Sequence, residues 1–139
     1  MEVRDARLGD ASRLVELIAE LGFTVDLAGV TERLSVLAAN GEPVIVAESG
    51  GVLVGMLDWH VMPTIHRPKP VGRIVALLVT EALRGRGVGT ALVSEAEARM
   101  RVRGCEKMEV TSNLRLARAH AFYERYGLER SSYRFAKEL

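Results

Sequence analysis

The chain has 139 residues, 48% hydrophobic and 27% charged, and its 19 basic and 18 acidic residues leave a formal net charge of +1. This length predicts one domain, residues 1–139, with a core of its own. The even charge balance excludes a general electrostatic footprint for nucleic acid or an anionic membrane.

Cysteine content and hydropathy indicate the class of protein. The single Cys105 cannot form an internal disulfide, and because Cys/His ligand spacing is missing we expect no metal. The N-terminus lacks an apolar signal segment, and no run approaches about 20 apolar residues. We therefore expect a soluble, cytoplasmic protein without a membrane span.

Periodicity and turn residues predict the elements of the first half. Leucines at helical spacing indicate a helix that ends at Gly22, and Ser49-Gly50-Gly51 supplies a hairpin turn. The predicted order is a strand at 2–7, a helix at about 10–22, a loop at 23–29, a helix from near 31 to 41, and hairpin strands at 44–48 and 52–60.

The second half begins with a proline-rich loop and an almost continuous apolar run at 73–79, which is typical of a strand buried on both faces. Val88, Leu92, Ala96 and Met100, each four residues apart, predict a helix that Gly104 ends. A strand at 107–112, a helix at about 114–126 and a last strand over 130–139 follow. The whole order is β-α-α-β-β-β-α-β-α-β, a mixed α/β (α+β) fold.

The most informative stretch is the loop at 84–90, Arg-Gly-Arg-Gly-Val-Gly-Thr, which joins the apolar strand to a helix. Its glycines let the backbone approach a ligand without side chains in the way. The first turn of the following helix offers unpaired N–H groups and the positive end of its dipole. Because Arg84 and Arg86 add charged donors, the loop predicts a site for a phosphorylated ligand.

Two other ligand-binding patterns fit this loop poorly. A Walker loop requires G-x-x-x-x-G-K-[ST], and the loop has no lysine. A dinucleotide fingerprint requires a third glycine where Thr90 stands. Taken alone, the loop could also be a helix start whose glycines serve close packing only.

With a second motif, the chain resembles the GNAT superfamily of acetyl-CoA-dependent N-acetyltransferases. Arg84, Gly87 and Gly89 match the family's [Q/R]-x-x-G-x-[G/A] pattern. Downstream, TSN at 111–113 and AHAFYERYGLE at 119–129 resemble its strand followed by A-x-x-F-Y-x-x-x-G-F, with Leu128 in place of the last phenylalanine. The predicted element order matches along the whole chain. The resemblance implies a GNAT-like, mostly antiparallel central sheet with flanking helices.

The resemblance also implies an acetyl-CoA site where strands 73–79 and 107–112 splay apart. The Val79 N–H would polarise the thioester carbonyl, and Tyr123 would act as the acid that protonates the departing CoA thiolate. Otherwise Tyr123 is an interior aromatic packed with Phe122. The implied cofactor-binding residues are Leu77, Leu78, Val79, Arg84, Gly85, Arg86, Gly87, Val88, Gly89, Thr90, Asn113 and Phe122.

The general base is where the sequence departs from many relatives, which often carry a glutamate in the central strand. This chain has Val75 and Ala76 there. Candidate bases are Asp58, His60 and His66, although each histidine could be merely an exposed strand or loop residue. The implied acceptor entrance lies between the first two helices and the loop before the central strand. The candidate substrate-binding residues are Phe23, Asp58, His60 and His66.

Three functions remain open at this point. The first is an N-acetyltransferase in which a primary amine of a small molecule or protein attacks acetyl-CoA directly in a ternary complex. The second is a CoA-binding module with little activity, because the strand glutamate is missing. The third is a nucleotide-binding protein. We expect neither nucleic acid nor membrane as a partner, and the final strand or sheet edges would permit a homodimer.

Overall fold

A computed structural model describes all residues, 1–139, and contains five strands and four helices. None of the helices combines the length and the apolarity needed to cross a membrane. The strands are β1 (Glu2–Asp5), β2 (Ile45–Ser49), β3 (Val52–Met62), β4 (Val71–Val79) and β5 (Lys107–Val110). The helices are α1 (Ala11–Glu20), α2 (Leu27–Ala39), α3 (Val88–Val102) and α4 (Ala117–Tyr126).

The strands form one sheet in the order β1-β2-β3-β4-β5. The first four pair antiparallel, whereas β4 and β5 pair parallel. Parallel neighbours need a crossover connection, and α3 supplies it. Between β3 and β4, Asp58 lies opposite Ala76 while Trp59 lies opposite Ile74, so Val75 is an extra residue that bulges from β4. The expected mixed, mostly antiparallel sheet is confirmed.

Each face of the sheet packs against its own helices. On one face α1 and α2 bury a cluster that includes Leu14, Leu34 and Met56. On the other face α3 buries a larger cluster around Leu57 and Leu92, and α4 packs against it through Phe122 and Tyr126. The sheet therefore separates a helix-pair side from an α3–α4 side.

Two helices begin at other residues than the sequence-based expectation has them. Helix α2 begins at Leu27 rather than near Thr31, because Asp26 caps it by accepting the Gly29 N–H at 2.6 Å. Helix α4 begins at Ala117, since Asn113 accepts the Arg115 N–H in a turn just before it.

The final strand expected over residues 130–139 is not formed. The alternating Tyr133 and Phe135 are 85% and 93% exposed, so neither packs against the fold. Alternation produces a strand only where a sheet edge and a face to bury are both available. Strand β5 is paired on its β4 side alone, and the tail runs past it without pairing.

Candidate active site

The glycine loop has a conformation that few other residues adopt. Gly85 and Gly87 have φ of +78° and +85°, and Gly87 is the N-cap residue of α3. A side chain at a positive φ costs about 1–2 kcal/mol. A Cβ added at either position would meet no atom within 4 Å. Both glycines therefore serve the turn, and the space in front of them is open.

The loop presents a row of free backbone donors. Six consecutive N–H groups, those of residues 85–90, donate to no other protein atom; the first bond in this region is that of the Ala91 N–H to the Gly87 carbonyl. These donors lie at the N-terminal, positively polarised end of a 15-residue helix. Such an arrangement binds anions, phosphate above all.

The two arginines of the loop add charge to this cradle. Arg84 donates from Nε to the Val79 carbonyl at 3.2 Å, which ties the loop to the end of β4. Arg86 is exposed, and neither arginine belongs to an ion pair of the protein. Both guanidinium groups are thus available to an anionic ligand.

Next to the loop the sheet splits. Pairing between β4 and β5 ends at Ile74 and Val110, although β4 continues to Val79. Because the Thr80 N–H donates to the Val54 carbonyl on β3, the alternate groups of Leu77 and Val79 point away from β3 towards the split. The second half of β4 therefore offers an unpaired strand edge in a wedge, as expected from the sequence.

Polar groups of the chain after β5 line the other side of the wedge. The Ser112 hydroxyl is buried and has no hydrogen-bond partner. The neighbouring Asn113 accepts the Arg115 N–H at its side chain, and its carbonyl accepts the His120 Nε2–H at 2.8 Å. His120 thus holds the start of α4 to this turn rather than orienting Tyr123. An orphaned hydroxyl beside an open strand edge suits a polar, strand-like ligand.

Helix α4 packs directly against the glycine loop. A Cβ on Gly89 would lie 3.3 Å from the Phe122 ring, so this glycine allows the close approach of α3 and α4. A cavity of about 160 Å³ lies beside this contact, lined by Thr90, Phe122, Arg125 and Tyr126. The structure thus brings the two sequence motifs together, and it adds Arg125, which sequence reasoning missed.

Tyr123 is a partly buried phenol on α4. Its ring meets Phe122 edge-on at 5.4 Å, and its hydroxyl makes no hydrogen bond to the protein. Burial raises the pKa of Tyr123 above its ordinary value of 10.0, so the phenol keeps its proton at neutral pH. Tyr126 stacks on the other side of Phe122 at 6.4 Å and packs with the core.

On the opposite face of the sheet, a cavity of about 150 Å³ opens between α1, α2 and the strands. Eight of its ten lining residues are hydrophobic, and the other two are Arg33 and Asp58. Asp58 lies on β3 directly opposite Ala76, at the level where the wedge begins. Burial raises the pKa of Asp58 above 3.8, although nearby His60 and the Trp59 N–H act in the opposite direction.

His60 is held by a residue that sequence reasoning missed. Glu42 lies between α2 and β2, and its side chain is only 5% exposed. Its carboxylate accepts the Val61 N–H at 2.9 Å and the His60 Nδ1–H. The adjacent Pro43 carbonyl accepts the Trp59 indole N–H at 2.8 Å. The Glu-Pro pair is typical of an ordinary loop, so only the fold shows that this carboxylate fastens β3.

The remaining acceptor candidates lie apart. His66 is exposed in the connection between β3 and β4, at the start of β4, whereas the wedge lies at its other end. Phe23 is 64% exposed in the connection between α1 and α2 and does not line the cavity, although its neighbour Val25 does. No three His, Cys, Asp or Glu side chains come together in a group that could hold a metal ion.

Comparisons with known proteins agree with this geometry. The profile of the acetyltransferase (GNAT) family matches residues 16–128. An aminoalkylphosphonate N-acetyltransferase of Salmonella typhimurium is 30% identical over 150 aligned positions, which cover 99% of this chain and 91% of the relative.

Solved structures show the same fold at lower identity. A transcriptional regulator from Bacillus halodurans has a TM-score of 0.91 at 24% identity, with 99% of each chain covered. An aminoglycoside N-acetyltransferase in complex with CoA has a TM-score of 0.87 at 15% identity, covering 99% of this chain and 93% of its own. The family profile and the Salmonella relative together show that this chain belongs to the GNAT family of acetyltransferases and is an N-acetyltransferase.

Proposed function

We propose that this enzyme transfers the acetyl group of acetyl-CoA, the donor that the family uses, to a primary amine of a small molecule or protein by direct attack in a ternary complex. The observation that carries this proposal is the row of free N–H groups at residues 85–90 beside the unpaired edge of β4. One feature suits a pyrophosphate and the other suits an amide-containing arm.

The donor-binding roles follow from these positions. Residues 85–90 would hold the pyrophosphate through their N–H groups, and Arg84 and Arg86 would pair with its charges. Leu77 and Val79 would bond the pantetheine arm as an added strand, and the orphaned Ser112 hydroxyl and Asn113 would bond it from the other side. Thr90, Phe122 and Arg125 would contact the nucleotide end in their shared cavity.

Three groups would then assist the transfer. The Val79 N–H points into the wedge and would stabilise the negative charge that develops on the thioester oxygen. Asp58 would take one proton from the bound ammonium, which frees the amine to attack. As the C–N bond forms and the C–S bond breaks, the nitrogen loses its second proton to water. The CoA thiolate takes the proton of Tyr123, whose raised pKa keeps it available.

Asp58 is preferred to the histidines as the base on three grounds. It lines the cavity, it lies opposite Ala76 beside the wedge, and it has no ion pair. His60 is engaged by Glu42 and lies opposite Arg73, farther along β4 from the wedge. His66 is farther away still.

Acetyl-CoA should stabilise the protein against thermal unfolding, whereas ATP and NAD should not. Thiol release followed over a panel of amines measures turnover. Stabilisation by ATP or NAD in place of acetyl-CoA would favour a nucleotide-binding protein. Acetyl-CoA binding without turnover on any amine would favour the CoA-binding module. Arg84→Glu should weaken acetyl-CoA binding by at least about 10-fold, because it reverses a charge at the cradle.

We also propose a cytoplasmic homodimer. The free edge of β5 and the unpaired tail with Tyr133 and Phe135 support association between copies. Light scattering of the full chain and of a chain ending at Arg130 tests this, since a dimer built by the tail should become monomeric on truncation.

A further inference from the structure

The cavity between α1, α2 and the sheet bears on the identity of the acceptor, and an inference about that acceptor rests on the proposed function. The walls of the cavity are apolar except for one cation, Arg33 on α2, and one anion, Asp58 on β3. No ion pair within 4.0 Å joins the two, and neither forms a hydrogen bond to another side chain.

The neighbouring charged groups of the same region are all paired. His60 bonds Glu42, and Arg73 on β4 pairs with Glu109 at 3.6 Å. Further along the same helix layer, Arg13 pairs with Glu16 at 2.8 Å. Arg33 and Asp58 are therefore the two charges of opposite sign that this region leaves uncompensated.

Unpaired charges in an apolar cavity carry a desolvation cost that a partner of opposite charge relieves. A ligand relieves both costs at once only if it carries a cation near Asp58 and an anion near Arg33. We propose that the acceptor is a small aliphatic amine that also bears an anionic group, with its ammonium bound by Asp58 and its anion bound by Arg33.

The size of the cavity limits such an acceptor. A volume of about 150 Å³ is that of a cavity able to hold benzene, which corresponds to about six non-hydrogen atoms. This room suits an amine and an anionic group joined by two or three carbons along the apolar lining. A multi-ring amino sugar would leave most of its atoms outside.

The position of Asp58 suits the reaction. Asp58 lies opposite Ala76 on the neighbouring strand, and paired strands are about 4.8 Å apart. An amine held at Asp58 is therefore one strand away from the edge of β4 that faces the wedge. Arg33 approaches from α2 above the sheet, so the anionic end is held away from the reacting nitrogen.

The test compares amines that differ only in the anionic group. The wild-type enzyme is assayed by thiol release with 3-aminopropanoate, 2-aminoethylphosphonate, propylamine and 3-aminopropan-1-ol. We expect kcat/KM to be at least about 10-fold higher for the two anionic amines, as a charge-assisted hydrogen bond predicts. The ratio between the first two shows whether the anion is a carboxylate or a phosphonate.

Variants then assign the effect to Arg33. Arg33→Gln should lower kcat/KM for the anionic amines by about 10- to 100-fold and leave the neutral amines unchanged, while Arg33→Lys restores part of the loss. Arg7→Gln, the same change at an exposed arginine without an ion pair, should leave every amine unchanged.

Two results would overturn the inference while the proposed function stands. One is equal turnover of neutral and anionic amines by the wild type. The other is an Arg33→Gln variant that discriminates between them as well as the wild type does. If no amine is acetylated, the proposed function fails instead. Calorimetric binding of 3-aminopropanoate to the CoA-loaded wild type and to Arg33→Gln then decides the inference, since equal affinities contradict it and a selective loss supports it.

Discussion

The two sides of the active site are built from different kinds of group. The donor side, formed by loop 84–90, the open edge of β4 and α4, depends mainly on backbone N–H and carbonyl groups of two contiguous segments. The acceptor side, the cavity with Arg33 and Asp58, depends on side chains from separate helices and strands. Backbone donors suit a ligand that is always the same, whereas side chains can change without disturbing the fold. Substitutions on one side should therefore leave binding on the other side intact.

The largest expected effect is on the acceptor side. Asp58→Asn removes the proposed base while keeping the shape of the side chain, so kcat should fall by about 100- to 10,000-fold. The affinity for acetyl-CoA, measured by calorimetry, should stay within about twofold of the wild type. His60→Asn, the same kind of change two residues along β3, should cost far less activity. A greater loss in His60→Asn than in Asp58→Asn would exchange the roles of the two residues.

The donor side should give the converse result. Gly87→Val forces a β-branched residue to φ +85° and places its side chain in front of the free N–H groups. Losing two or more charge-assisted bonds should weaken acetyl-CoA binding by about 100-fold or more. Gly51→Val is a matched control, because Gly51 has φ +79° in the β2–β3 turn and equally open surroundings. Both variants should lose similar stability, and equal losses of affinity would refute the phosphate cradle.

Tyr123 lies where the two sides meet. Tyr123→Phe keeps the ring against Phe122 but removes the acidic proton, so kcat should fall by about 10- to 100-fold, a modest loss because a thiolate is a stable leaving group. Tyr126→Phe alters the other tyrosine that stacks on Phe122 and should leave kcat near the wild-type value. Equal kcat values for the two variants would exclude Tyr123 as the acid.

The contrast also explains how much of the site the sequence predicted. The glycines and arginines of loop 84–90, Asn113 and Tyr123 belong to short motifs, and the structure places them together around the wedge. Arg33 sits in a helix as an ordinary arginine, and Glu42 sits in an ordinary loop. Their importance depends on contacts between elements that lie far apart in the chain, such as that of Glu42 with His60. No local pattern encodes such a contact.

The fold divides in a similar way. The apolar run of β4, the hairpin turn and the four-residue spacing of α3 predicted their elements correctly, because burial on one or both faces leaves a periodic pattern. The tail at 130–139 carries a comparable alternation but has no strand beside it and no face to cover. Periodicity reports what a segment could bury, whereas a strand also needs a partner.

The smallest predicted effects concern stability, where two aspartates should respond to the same substitution with opposite signs. Asp10 accepts bonds from Arg4 at 2.8 and 3.1 Å, which lower the pKa of its carboxyl below 3.8. Its contribution to stability is therefore present above the unfolded pKa and is lost as the pH falls through the folded value. Asp10→Asn should destabilise the protein by about 1–3 kcal/mol at pH 7. Asp10 lies in the strand–helix corner of the fold, away from either ligand.

Asp58 has a raised pKa because burial disfavours its charged form, so its ionisation opposes folding. This penalty is full above the folded pKa and vanishes below the ordinary value of 3.8. Asp58→Asn should therefore raise the midpoint of thermal unfolding at pH 7, and the gain should disappear in acid. Thermal unfolding of both variants from pH 3 to pH 8 measures the two trends. A destabilised Asp58→Asn protein at pH 7 would mean that this carboxylate serves the fold; a stabilised but inactive one would mean that the acceptor side keeps it for its chemistry.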